Sequence, residues 1–194
     1  MCIRDSDNTD PIERLFIQWG FSQVFPAKTM CAHVTTWNKN SSVKFRTDVA
    51  MMCKLGFDIK LADMSKDDET YCRTAVQNYN RLKPVVLEGD MYRLVSPYGS
   101  NHTSTMYVGK DKDKAAVFAF DIHPRYAEKI LPVRLQGLDA DKMYRVKEIN
   151  LMPGANSSLS GNGEVFSGEF LMNVGLNLFT AQQLNSRVIE VVAE

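Results

Sequence analysis

The stretch "SDNTDPIERLFIQWG" (Ser6–Gly20) sets two acids, Asp7 and Asp10, three residues apart in front of an amphipathic run. Carboxyl groups so placed can act as general acids and bases, or can cap a helix. Asp10 directly precedes Pro11 and suits the cap: its carboxylate can accept from free backbone N–H groups, and Glu13 completes an Asp-x-x-Glu capping box. Asp7 is three residues too early for that cap. If a strand precedes it, Asp7 lies in a βα loop, on the face where barrel enzymes carry their chemistry. His33 lies inside an apolar strand, where a satisfied core histidine competes with a site residue. Trp37 falls in the loop beyond that strand, as a sugar-stacking platform or as ordinary loop. Cys2, Cys31, Cys53 and Cys72 form no CxxC and have no His at zinc-ligand spacing, which leaves buried thiols as the expectation for Cys53 and Cys72. The sequence shows no Gly-rich phosphate loop and no nucleophile elbow.

The elements that would position these residues are marked by period and caps. Ile12, Leu15, Phe16 and Trp19 follow i, i+3, i+4, i+7, so residues 10–20 predict a helix with Gly20 as its stop. "TMCAHVT" (Thr29–Thr35) and "FDIKL" (Phe57–Leu61) predict strands buried on both faces, as in a parallel sheet. "RTDVAMMCKLG" (Arg46–Gly56) predicts the helix between them. Ser65 and Asp68 open a further helix, expected to end at Pro84. Strands alternating with helices imply βαβ units. From about residue 88 the pattern changes to short strands with turn signals: "MYRLV", "TSTMYVG", "KAAVFAFD", "LPVRLQ", "KMYRVKEINL", "EVFSGEFLM" and "RVIEVVA". That run predicts an antiparallel β-sandwich over residues 89–194. Tyr92, Tyr107, Phe118, Phe120 and Tyr144 alternate into its core, which favours packing over a carbohydrate-binding surface.

Composition narrows the function classes. Of 194 residues, 44% are hydrophobic and 24% charged, enough for a packed core. Lys plus Arg and Asp plus Glu are both 23, so no charge excess argues for nucleic acid or an anionic membrane. No apolar run is long enough to span a bilayer. The opening Met1–Asp5 has no apolar h-region and resembles translated sequencing-adapter sequence.

"SDNTDPIERLFIQWG", "CAHVT", "FRTDVAMMCKLGFDIKL", "YRLVSP", "PVRLQGLD" and "EINLMPG", in this order, resemble the C-terminal part of the α-galactosidases (melibiases) of glycoside hydrolase family 36, Bacteroidetes-type members above all. The resemblance runs from Ser6 almost to Glu194. It implies that residues 1–88 are the C-terminal portion of a (β/α)8 TIM barrel, from just after its sixth strand, and that residues 89–194 are the β-sandwich domain behind it. It implies a retaining mechanism with two carboxyl groups. The acid/base is the first Asp of the family's Ser-Asp-x-x-Asp motif, here Asp7. The nucleophile belongs to a Lys-Trp-Asp motif that is absent from these 194 residues, as is the Cys-Ser-Gly-Gly-Gly motif of the galactose pocket. The chain alone is therefore expected to be inactive. No metal or organic cofactor is implied; the substrate would be an α-galactoside oligosaccharide, and the parent enzyme a homo-oligomer. Relatives within the fold acting on α-N-acetylgalactosamine or transferring galactose, and a non-catalytic carbohydrate-binding or structural β module, are the competing readings.

Overall fold

The computed structural model describes residues 8–37, 40–180 and 182–194. Helix α1 (Pro11–Phe21) starts as its cap dictates: Asp10 Oδ1 accepts from the N–H groups of Ile12 and Glu13, each at 3.0 Å. Asn8, rather than Glu13, returns the reciprocal bond, its Oδ1 accepting from Asp10 N at 2.8 Å. The buried stripe is Pro11, Arg14, Leu15 and Gln18, one position round from the expected one, with Ile12, Phe16 and Trp19 half-buried. Arg14 is drawn inward because its guanidinium reaches the carbonyl of Cys31 at 2.8 Å.

Strands β1 (Cys31–Thr35) and β2 (Lys54–Asp58) pair in parallel, Cys31 against Lys54 and Thr35 against Asp58. The helix between them, α2, spans Val43–Ala50 and not Arg46–Gly56. Ser42 starts it, its Oγ accepting from Phe45 N at 3.1 Å. The apolar run behind it is core, but in a turn: Met51 and Cys53 have no exposure, Tyr107 donates its hydroxyl to the Met52 carbonyl at 2.7 Å, and Tyr79 donates to the Cys53 carbonyl at 2.8 Å. Gly56 consequently lies inside β2, where the His33 ring occupies the place of a Cβ. Helix α3 (Lys66–Glu88) starts at Ser65 as expected, then passes through Pro84. Proline forfeits one backbone bond there, and the last turns stay helical because Leu82, Val85 and Val86 are buried beyond 90%.

Six strands follow: β3 (Asp90–Val95), β4 (His102–Val108), β5 (Lys114–Asp121), β6 (Met143–Ile149), β7 (Val165–Ser167) and β8 (Asn185–Ala193). They form one antiparallel sheet in the order β3-β4-β5-β8-β6-β7. Its side chains alternate between two cores. Tyr107, Ala116, Phe118, Phe120 and Val188 join α2 and α3, with Phe45 edge-on to Phe120 at 5.6 Å between centroids. Met106, Val117, Ala119, Ile189 and Val191 join Leu135, Leu138, Leu171 and Leu178 on the other side.

That second layer corrects the two-sheet expectation. "LPVRLQ" contributes a single bridge, Val133 with Leu176, since Pro132 offers no N–H to a ladder. "EVFSGEFLM" divides into β7 and a short helix, α4 (Gly168–Asn173), because Ser167 Oγ accepts from Phe170 N at 3.1 Å and caps it. The described residues thus form a mixed α/β structure with one six-stranded antiparallel sheet covered on both faces.

Candidate functional site

Parallel sheets flanked by helices present their ligand-handling groups beyond the carboxyl ends of the strands. Here β1 ends at Thr35 and β2 at Asp58, and the segments that follow enclose a cleft of about 320 Å3. Thr35, Thr36, Ser41 and Ser42 line it from the β1 side, and Asp63 and Asp68 from the β2 side. Arg46 crosses between them: its Nη1 donates to the Thr35 carbonyl at 3.0 Å. Burial holds this guanidinium below its usual pKa range, and Asp68 acts in the opposite sense. Two hydroxyls stand out. Thr35 is only 1% exposed, yet its Oγ1 has no hydrogen-bond partner among the described residues, and neither does the buried Oγ of Ser41. The Asp63 carboxylate, on the single 3-10 turn Leu61–Asp63, is exposed.

Of the residues singled out in the sequence, Asp7 lies outside the described residues. Asp10 is committed to the α1 cap. Trp37 sits in the bend after β1, immediately beyond Thr36, and is 73% exposed. His33 is not a core histidine. It is exposed, its ring laid over Gly56, because β1 and β2 pair only with each other among the described residues and leave that side open. Cys53 and Cys72 are buried free thiols, as expected; burial pushes their pKa values up to about 12 and about 11. Among the described residues no three His, Cys, Asp or Glu side chains are grouped as a metal site, and no helix is long and apolar enough to cross a membrane.

Two polar clusters had no signal in the sequence, since each joins residues distant along the chain. Asp48, with no exposure, accepts from Lys44 Nζ at 2.5 Å, Ser186 Oγ at 2.7 Å, Tyr71 OH at 2.8 Å and Asn150 Nδ2 at 3.0 Å. It binds α2 and α3 to the end of β6 and to β8. His102 and Asp121 face each other across β4 and β5, with Nδ1 2.7 Å from Oδ1, and Asp121 also accepts from Thr180 N and Oγ1. Four of the five sheet aromatics do what alternation implied: Tyr107, Phe118, Phe120 and Tyr144 are at most 1% exposed, while Tyr92 is half-buried against the second core.

Comparison with known proteins gives this arrangement its place. Residues 2–89 match the family model described as Melibiase, and residues 102–191 match the Glycosyl hydrolase family 36 C-terminal domain. The chain belongs to glycoside hydrolase family 36. It is 34% identical over 190 residues to Alpha-galactosidase 2 of Hypocrea jecorina, covering 95% of this chain and 24% of that protein. It is 30% identical over 161 residues to Alpha-galactosidase AgaA of Geobacillus stearothermophilus, covering 80% of this chain and 22% of that one. Among solved structures, the family 36 α-galactosidase AgaB of the same organism superposes with a TM-score of 0.84 at 28% identity, covering 98% of this chain and 25% of AgaB. An AgaA variant (A355E D548N) in complex with raffinose superposes at 0.83, with 26% identity, 97% of this chain and 25% of that one. The chain thus spans about a quarter of the length of the family 36 proteins it matches.

Proposed function

We propose that this chain is a portion of a retaining α-galactosidase that releases terminal α-linked galactose from oligosaccharides such as melibiose and raffinose. One observation carries the reading: the likeness to α-galactosidases extends over 95% of the chain in sequence and 98% in structure. The solved relatives include complexes with raffinose and stachyose. On this reading residues 1–88 belong to a (β/α)8 barrel, of which β1 and β2 are two parallel strands, and residues 89–194 to the C-terminal β domain behind it. The whole enzyme would be a homo-oligomer.

Asp7 is proposed as the general acid/base. A retaining glycosidase needs one carboxyl group to protonate the departing oxygen and then to deprotonate water, while a second attacks the anomeric carbon. The assignment to Asp7 follows from the resemblance of Ser6–Asp10 to the family's Ser-Asp-x-x-Asp motif, whose first Asp carries this role; Asp10, the second acid, caps α1 through its backbone N–H groups. The nucleophile is not contained in these residues, because Lys-Trp-Asp does not occur. An acid alone supplies a modest part of the rate, so the chain as given is inactive on this reading.

The test uses a longer polypeptide that carries a Lys-Trp-Asp motif ahead of this segment. Asp7→Asn should lower turnover of raffinose by about 100-fold or more, the usual contribution of a general acid. Azide should restore turnover of an aryl α-galactoside, whose good leaving group needs no proton, by intercepting the glycosyl-enzyme. Undiminished raffinose turnover in Asp7→Asn, or no azide rescue, would remove Asp7 from this role.

A further inference from the structure

We propose that His102 is a proton-operated latch: its imidazole, on taking up a proton at Nε2, draws in the Glu128 carboxylate and fastens the segment 122–136 to the start of β4. The latch lies wholly in the C-terminal half of the chain and does not rest on the α-galactosidase reading.

The ring is held in one orientation. His102 is 5% exposed, and Phe179 stacks on it with 4.7 Å between centroids. Its Nδ1 lies 2.7 Å from Asp121 Oδ1. Asp121 Oδ2 accepts from the backbone N–H of Thr180 at 3.0 Å and from its hydroxyl at 2.7 Å, so Asp121 acts as a carboxylate. A partner that only accepts requires the ring proton on Nδ1. Nε2 of the neutral ring is then a bare lone pair. It is buried and has no hydrogen-bond partner among the described residues.

A second carboxylate faces it. Glu128 Oε2 is 3.6 Å from Nε2, beyond hydrogen-bond reach. Two acceptors cannot bond each other, so the neutral ring leaves this gap open. Protonation turns Nε2 into a donor. A charge-assisted N–H···O bond closes to about 2.7–2.9 Å, which brings Glu128 inward by about 0.8 Å. The buried positive charge is matched on both sides, by Asp121 and by Glu128.

Glu128 carries the chain with it. Its carboxylate accepts from Arg125 N at 2.9 Å and from Asn101 Nδ2 at 3.1 and 3.2 Å. These bonds hold its carboxyl below the usual carboxylate range, so it stays charged where imidazoles titrate. The segment runs over a cavity of about 410 Å3 that His102 and Phe179 line from the other side. The remaining charges there are cations that keep their charge over the same range: Lys129 and Arg134 line the cavity, and Arg125 attracts Glu128. Strand β3 brings Leu94 and Val95 to the lining and no charge. His123, the other imidazole of the segment, is exposed and turned to Gln183 at 3.2 Å.

The test is NMR of the 194-residue chain from about pH 5 to pH 8, with amide exchange corrected for the intrinsic effect of pH. The His102 ring and the Arg125 amide should titrate with one midpoint. Below it, exchange at residues 125–129 should slow by about three- to tenfold, the worth of one partly exposed charged hydrogen bond. Glu128→Gln keeps the size of a side chain that is partly exposed; it should abolish the slowing while the His102 ring still titrates. His123→Asn should leave the slowing as it is. The proposal is overturned if the His102 ring keeps one charge state across this range, or if its titration leaves exchange at 125–129 unmoved. It is equally overturned if Glu128→Gln retains the slowing or His123→Asn removes it.

Discussion

Asp48 offers the most exposed test of how the two halves of this chain are held. Its carboxylate is fully buried and accepts from four side chains, two on the helices and two, Asn150 and Ser186, from the sheet segments. Asp48→Ala removes the acceptor that all four donors share. The charged one weighs most. Lys44 is 13% exposed at its side chain and sits 2.5 Å from Asp48, and breaking a buried ion pair from one side costs about 3–5 kcal/mol. Lys44 keeps some access to water and a second acceptor, the Ser186 carbonyl at 2.8 Å, which places the expected loss at the lower end of that range. For a chain of this length about 3 kcal/mol lowers Tm by about 6–12 °C.

Thermal unfolding of Asp48→Ala, Lys44→Met and the double variant separates the terms. Lys44→Met leaves Asp48 with three neutral donors and no cation. If the pair matters as a pair, the double variant should be less destabilised than the two single losses added together. Additive losses would show that Asp48 acts through its neutral hydrogen bonds alone. Asp48→Ala within about 1 kcal/mol of the parent would refute the reasoning altogether, because it would mean that the donors replace their shared charged acceptor at no cost.

Three further outcomes follow from the structure. Stability should fall with rising pH above about 9: the buried Cys53 thiol stays protonated up to about 12 in the folded chain while the unfolded thiol ionises near its ordinary value, so the folded state holds the extra proton and loses about 1.4 kcal/mol per pH unit across that window. Cys53→Ala should flatten the slope in urea melts at pH 9–11, and an unchanged slope would shift the cause elsewhere. Gly89→Ala should destabilise by about 1–3 kcal/mol in the same melts, since an added Cβ would come within 2.5 Å of the backbone carbonyls of Val85 and Val108, neither of which can swing aside. The chain by itself should show no release of nitrophenol from an aryl α-galactoside, and measurable turnover that disappears in Asp7→Asn would contradict the assignment of the nucleophile to residues outside it.

What could be read from the sequence, and what could not, follows one physical line. Local signals were sufficient wherever one bond decides: the Asp10 and Ser65 caps start their helices where a side-chain oxygen meets a free N–H. They failed where burial decides. "MMCKLG" carries a helical stripe, but Tyr79 and Tyr107 take the carbonyls of Cys53 and Met52 and hold the run as a buried turn. Pro84 reads as a stop, but the apolar turns on either side of it are worth more in the core than the one bond it forfeits.

The candidate site divides in the same way. Trp37 and Asp7 were named from type and position, whereas Thr35, Ser41 and Asp63 were not, because nothing in a hydroxyl's sequence context shows whether folding will leave it without a partner. That shortage appears only when β1, α2 and the turn after β2 close on the same cleft. A binding site is in this sense the part of a fold whose polar demands are left open from within. The Asp48 cluster, buried and polar, fails that criterion: four donors already satisfy Asp48, so it can fasten the fold but has nothing left to offer a ligand.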